Sequence, residues 1–242
     1  MKHLLILSLA LLLFAAGCKK DRNEKTAQTS ACRISRLVAP DGKEIKITYN
    51  ADGSYQAIDN EQNDEVLTPI YSSGSVVITT VSESTGKVTR KTTVLLNSSG
   101  MAYGVKYEYY NSAGTITGTN NYVYEYNGTE LAKSTASYFN GTTTTNTTET
   151  FGWTDGNLTS TVTNTGVSIY EYYTGKPAQL GDVLSISSVM LNGFDINLII
   201  KNKNLLKSLS GTEVGYTFDT EGRINTISYN GELQFNIEYE CN

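Results

Sequence analysis

The sequence predicts an all-β fold: an antiparallel up-and-down meander forming a single curved sheet or a half-open barrel, interrupted by one irregular insertion. The first observation behind this is a recurring unit, Phe218-Asp219-Thr220-Glu221-Gly222-Arg223-Ile224, with looser copies that begin at Tyr49, Leu96, Tyr110, Tyr126, Trp153 and Tyr229. Each copy reads hydrophobe, then Asn or Asp within two residues, then Gly, then a return to hydrophobes. The Asn or Asp caps a turn with its side chain, the glycine takes the positive φ that ends it, and the flanks are the two strands of a hairpin. The second observation is composition: 3 prolines, 21 glycines and Thr- and Tyr-rich runs, which suit a pleated surface. The third is alternation, clearest where Phe235, Ile237, Tyr239 and Cys241 interleave with Gln234, Asn236, Glu238 and Glu240, giving one buried and one wet face.

Taken in order, the chain opens with Lys2 and His3, an apolar run over 4–16 broken only by Ser8, and Ala15-Ala16-Gly17-Cys18. That run is too short to span a bilayer, so residues 1–17 read as an export signal. The segment resembles a bacterial lipoprotein signal, which implies cleavage before Cys18 and acylation of that cysteine, although Ala15 stands where such signals usually carry Leu. Ordinary cleavage that leaves a free thiol is the alternative. Residues 18–31 form the lipidated cysteine and a tether; after Cys18 the stretch has no aromatic or branched aliphatic side chain and is expected to be disordered. Lys19-Lys20-Asp21 is similar to the export tags of surface lipoproteins in Bacteroidota. The expected localisation is therefore the cell envelope, anchored at the outer membrane on its periplasmic or outer face, with the membrane as a partner through the lipid.

The folded domain spans 32–242. Short strands are expected at 34–38, 44–49, 54–58, 66–71 and 76–81, with Asp41-Gly42 and Asp52-Gly53 as turns and 59–65 as an acidic connector. Longer strands follow at 88–96, 102–110, 115–126, 130–139, 142–153, 157–162 and 167–173. Tight turns between them require antiparallel pairing of sequence neighbours. Gly175-Lys176-Pro177 then breaks the pattern. Residues 178–209 have fewer turn signals and read as an insertion that carries a helical turn and packs over the sheet. Strands at 213–218, 223–229 and 232–239 restore the meander. With Cys18 assigned to the anchor, Cys32 and Cys241 remain, and in an oxidising envelope they are expected to form a disulfide; two buried free thiols are the alternative.

The chemistry is defined largely by what is missing. His3 is the only histidine and leaves with the signal, which removes Ser-His-Asp and Cys-His systems and the commonest zinc ligand. No phosphate-binding glycine loop is present, and net charge is −5 with no basic block in the folded domain, so neither a cofactor nor nucleic acid is expected. Carboxylate pairs for acid–base work reduce to Glu149 with Asp155, or Asp219 with Glu221, each at a turn where such residues ordinarily cap or solvate. Asp59, Glu61, Asp64 and Glu65 lack calcium-loop spacing, and no metal site is expected. The sequence thus reads as non-enzymatic.

Tyrosine is the feature that stands out, with 17 Tyr against 6 Phe and 1 Trp. Tyr107 and Tyr109, then Tyr122, Tyr124 and Tyr126, then Tyr170 and Tyr172 recur at i and i+2, so each set shares one face of its strand. Two roles are open: cross-strand pairs stabilising a sheet with little core, or an exposed aromatic platform on which a glycan or an envelope protein stacks. Binding through such a face is the expected function, and a structural or assembly lipoprotein without a small-molecule ligand is the alternative.

The whole pattern, from the lipoprotein signal through the Tyr-x-Tyr strands with Asn-Gly turns, Lys201-Asn202-Lys203-Asn204-Leu205, the unit at 218–227 and the terminal Tyr-x-Cys, resembles a family of Bacteroidota cell-envelope lipoproteins of unknown function with a porin-like β fold. The unit at 218–224 is also similar to the tyrosine-aspartate repeats of large bacterial shell proteins. A porin-like fold does not imply a pore here. Thr142–Thr150 carries almost no hydrophobes, whereas a lipid-facing strand alternates them without a break.

Overall fold

The computed structural model describes residues 32–241, and residues 32–240 form one compact unit. The signal segment, Cys18 and the tether lie outside the described residues. The strands run β1 (Cys32–Val38), β2 (Glu44–Tyr49), β3 (Tyr55–Asn60), β4 (Glu65–Ser72), β5 (Ser75–Ser82), β6 (Val88–Leu96), β7 (Ala102–Tyr110), β8 (Ile116–Asn127), β9 (Glu130–Phe139), β10 (Thr144–Thr154), β11 (Asn157–Val162) and β12 (Val167–Pro177). A helix α1 (Val183–Asn192) and a 3-10 turn (Ile196–Leu198) follow, and then β13 (Asn204–Leu209), β14 (Thr212–Phe218), β15 (Ile224–Tyr229) and β16 (Glu232–Cys241). Every strand pairs with its sequence neighbours, and β1 meets β16, so the meander closes into a barrel of 16 strands. The meander is as expected; the half-open form is not, because the first and last strands complete the ladder.

The recurring unit is a single local geometry. The Asn97 and Asn111 side-chain amides and the Asp219 carboxylate each accept from the backbone N–H two and four residues on, at 2.9–3.0 Å. In each turn the glycine N–H donates back to the capping residue's carbonyl, and Gly100, Gly114 and Gly222 have φ between 76° and 82°. The side chain of the cap and the glycine's left-handed backbone thus set the turn together.

A second device accompanies the turns. Where the register shifts after a turn, the strand's opening carbonyl loses its ladder partner. An aromatic donor on the next strand supplies one: Tyr126 Oη donates to Ala102 O at 2.6 Å, Trp153 Nε1 to Leu131 O at 2.8 Å and Tyr239 Oη to Ile224 O at 2.8 Å. Tyr49 Oη likewise reaches Ile34 O at 2.8 Å. This accounts for the aromatic that precedes the turn in several copies of the unit, and for Tyr rather than Phe.

Most inward positions of β1–β7 and β13–β16 are apolar, with Asn60, Thr80 and Thr92 as buried polar exceptions, and the insertion packs among them. Ile34, Leu37, Ile45, Ile58, Leu67, Ile78, Val94, Ile224 and Ile227 share one buried cluster with Val183, Ile186, Val189 and Phe194. The cavity between α1 and β1–β3 is only about 10 Å³, so these elements are closely packed. The expectation that residues 178–209 pack over the sheet is therefore corrected: the segment fills the lumen, and its last residues are β13, a strand of the wall. The reason is volume, since inward side chains alone do not fill a barrel of this strand number. Asp182 caps α1 by accepting from Leu184 N and Ser185 N, and Gly193 ends it at φ 76°. The far end is tied down by Tyr107 Oη donating to Asn192 Oδ1 at 3.0 Å and Asn60 Nδ2 to Met190 O at 3.3 Å.

The outer wall carries charged pairs beside exposed apolar side chains such as Ile70, Tyr103, Val123 and Val167. Arg36 bridges Glu44 and Glu238, Lys46 pairs with Glu61, Lys106 with Glu108 and Lys133 with Glu125. Threonine and asparagine occupy the outward positions of β10. Apolar side chains in and charged pairs out is the reverse of a lipid-facing barrel with a wet channel.

Candidate binding cleft

The ladder is interrupted at β11–β12–β13. Only Ser160–Ile169, Thr161–Ser168 and Val162–Val167 pair across β11 and β12. Between β12 and β13 the register jumps from Tyr172–Leu206 to Pro177–Asn204, so residues 173–176 lie opposite Leu205 alone. Gly175, at φ 75°, and Pro177 lie within or at the end of this departure, and they are the residues that ended the strand pattern in the sequence.

Asparagines close the gap that the strands leave. Asn157 Oδ1 accepts from Lys203 N at 3.1 Å and Asn204 N at 2.8 Å, while its Nδ2 donates to Asn204 Oδ1 at 3.1 Å. Asn202 Oδ1 accepts from Leu158 N at 2.9 Å and from Tyr172 Oη at 3.1 Å. Asn157 is 8% exposed, so these bonds act where water competes little. β11 is thereby clamped to the segment leaving the plug, around the place where β12 pulls away. Lys201-Asn202-Lys203-Asn204-Leu205 is this clamp: its asparagines bond inward, while Lys201 and Lys203 stay exposed.

Where β12 leaves the wall it opens a cleft of about 660 Å³, within the range of small-molecule and peptide sites. Tyr170, Tyr172 and Tyr173 supply ring surface, Asn157, Asn204 and Thr159 supply amide and hydroxyl groups, and Asp155, Glu171 and Lys203 bring charge to it. Tyr173 is fixed by its hydroxyl donating to Val214 O at 2.8 Å and by Lys176, whose ammonium lies 4.8 Å from its ring centre. Burial pushes the Tyr172 hydroxyl well above the usual phenol range, so it stays protonated as a donor to Asn202. At the rim, Lys207 lies 3.8 Å from Glu171, and Ser208 Oγ donates to that carboxylate at 3.1 Å.

The predicted tyrosines divide by location. Tyr107, Tyr122, Tyr124 and Tyr126 pack against the core cluster from the lumen side, and Tyr109 stacks on Tyr107 with ring centres 6.5 Å apart. Tyr122 meets Tyr107 and Tyr138 edge-on, each at 5.8 Å. Burial raises the Tyr107 and Tyr126 hydroxyls to about 12 and the Tyr124 hydroxyl further. The exposed platform is thus corrected for this set: closing the sheet turns its aromatic face inward. Tyr170 and Tyr172 also contact the core, but they line the cleft as well.

The other candidates are dispersed. Cys32 and Cys241 are both disulfide-bonded, and Arg223 Nη1 donates to Cys32 Sγ at 3.0 Å. Of the carboxylates considered, Asp155 alone lines the cleft. Asp219 and Glu221 hold the Arg223 guanidinium at 2.6 and 3.1 Å. Asp64 accepts from Ser82 and Ser84, Glu61 pairs with Lys46, and no cluster of three or more potential metal ligands occurs among the described residues. The residues that sequence reading missed are the asparagine clamp and Tyr173. Their one signal was the i, i+2 spacing of Asn202 and Asn204.

Comparison with known proteins bears on the fold. No family model matches the chain, and no curated protein does. Among solved structures it is similar to a porin-like protein from Bacteroides vulgatus ATCC 8482, with a TM-score of 0.59 and 15% identity over 87% of this chain and 99% of that one. It is also similar to a porin-like protein from Bacteroides uniformis ATCC 8492, with a TM-score of 0.56 and 16% identity over 88% of this chain and 96% of the other. At these identities the likeness is one of fold.

Proposed function

We propose that the protein is an envelope-anchored, non-catalytic binding protein: the barrel is a filled scaffold, and the cleft at the β11–β13 seam holds a glycan or another envelope component. The observation that carries this reading is the cleft itself. There, two tyrosines of the predicted stripe meet amide, hydroxyl and charged groups in an opening of about 660 Å³. Rings for stacking beside fixed hydrogen-bonding groups are what an amphipathic ligand requires. The sequence supports a non-catalytic role, since His3 is the only histidine. Anchoring rests on the signal-like segment ending at Cys18.

Two measurements test this. Cys18→Ser should move the protein out of the membrane fraction, and its retention there after correct cleavage would count against a lipid anchor. On a glycan array and an envelope-protein array, the parent should bind and a Glu171→Ala/Lys203→Ala variant should bind at least tenfold more weakly. Both side chains are exposed, so stability should change by no more than about 0.5 kcal/mol per site. Binding unchanged by the pair would place the site elsewhere.

A further inference from the structure

From the open edge of β12 we infer that the cleft takes an extended peptide, which adds as a short strand beside residues 171–175; this rests on the cleft being the binding site and names its partner. In a closed barrel each strand is hydrogen-bonded along both edges, which leaves no template for another chain. β12 is one of the strands that depart from this. On its β11 side the ladder ends at Ile169, and on its β13 side no partner is present for residues 173–176. Lys176 O is taken by Asn204 Nδ2 at 3.2 Å, so on the β13 side the opening is confined to Tyr173, Thr174 and Gly175, while the β11-facing edge is open beyond Ile169 and spans 171–175. Thr174 and Gly175 are exposed, so their backbone groups face water.

Five residues of edge span about 17 Å, enough for a strand of that length, and main-chain hydrogen bonds along such an edge recognise any extended peptide. Side-chain preference comes from the surroundings. On one side lie the rings of Tyr170 and Tyr172. On the outer wall, where the ladder still holds, Val162 and Val167 are cross-strand partners, 42% and 58% exposed, with Ile169 50% exposed beside them. This apolar patch, continuous with an open strand edge, fits a strand with apolar side chains at alternate positions. A sugar ring would use the tyrosines but neither the backbone edge nor the valines.

The test uses the intact protein and a fluorescent, acetylated octapeptide of alternating valine and threonine. Amide exchange at 173–175, which lack a ladder partner on either side, should be at least a hundredfold faster in the free protein than at 104–108 of β7, which is paired on both sides. The peptide should slow exchange at 173–175 at least tenfold. N-methylation of alternate peptide amides should weaken its binding at least tenfold, and Thr174→Pro, which removes an edge N–H, should do the same. The methylated peptide decides the matter should that variant fail to fold. Slow exchange at 173–175 in the free protein, or no binding by the octapeptide, overturns the inference. Glycan binding lost in Glu171→Ala/Lys203→Ala, with the peptide inert, overturns it while leaving the cleft as the binding site. Failure of both ligands overturns the cleft as well.

Discussion

At the scale of single residues, the turns and their aromatic partners carry the fold. Gly222 sits at φ 82° with nothing within 4 Å of the place a Cβ would occupy, so a side chain there meets open space but an unfavourable backbone. Gly222→Val should therefore destabilise by about 1–2 kcal/mol through backbone strain alone, read as a lower urea midpoint at constant slope. Tyr126→Phe removes only a hydroxyl, yet it strands the carbonyl of fully buried Ala102. The expected cost is about 1–3 kcal/mol, against less than about 0.5 kcal/mol for Tyr103→Phe at an exposed outward site. Equal effects of the two would remove the carbonyl-capping role. The turn was legible in the sequence because Asn or Asp and Gly are local requirements. The aromatic's role was not, since its partner carbonyl lies 22–24 residues away for Trp153 and Tyr126.

At the scale of elements, α1 shows where sequence reading stopped and why. A helical turn in the insertion was legible from the scarcity of turn signals after Pro177. Its place inside the barrel was not, because a helix that is apolar on most faces packs equally well over a sheet or within one. Asp182 offers a specific test. Burial pushes its carboxyl above the usual range, working against the helix N–H groups that favour its charged form. Because the folded state binds this proton more tightly than the unfolded chain does, its contribution favours folding below the ordinary carboxylate range and is lost as pH rises through the raised value. Asp182→Asn keeps an oxygen for the cap but cannot ionise. The variant should thus gain on the parent as pH rises from 3 to 7 in urea denaturation. A parent that gains on Asp182→Asn over the same range would mean that the carboxylate is stabilised here.

At the scale of the whole molecule, the barrel is organised inside out relative to a pore. All-β class and antiparallel meander order could be read from the sequence, because alternation and tight turns dictate them. Closure could not, because it depends on accumulated twist and shear over 16 strands, a sum of small terms that no local motif reports. Nor could the seam: Asn157 and Asn204 are 47 residues apart, and their pairing is visible only once the plug segment has returned to the wall. The same closure turned Tyr107, Tyr122 and Tyr124 into lumen packing and left Tyr170 and Tyr172 beside an opening. A wall bearing charged pairs, around an interior that holds α1 and an apolar cluster, is expected to fold without lipid or detergent and to give no path for ions. The deciding experiment is sedimentation of residues 32–242 in detergent-free buffer, with the same sample added to a planar lipid bilayer. The expected result is a folded, monodisperse protein that stays in solution and gives no conductance steps. A requirement for detergent together with stepwise conductance would contradict this arrangement.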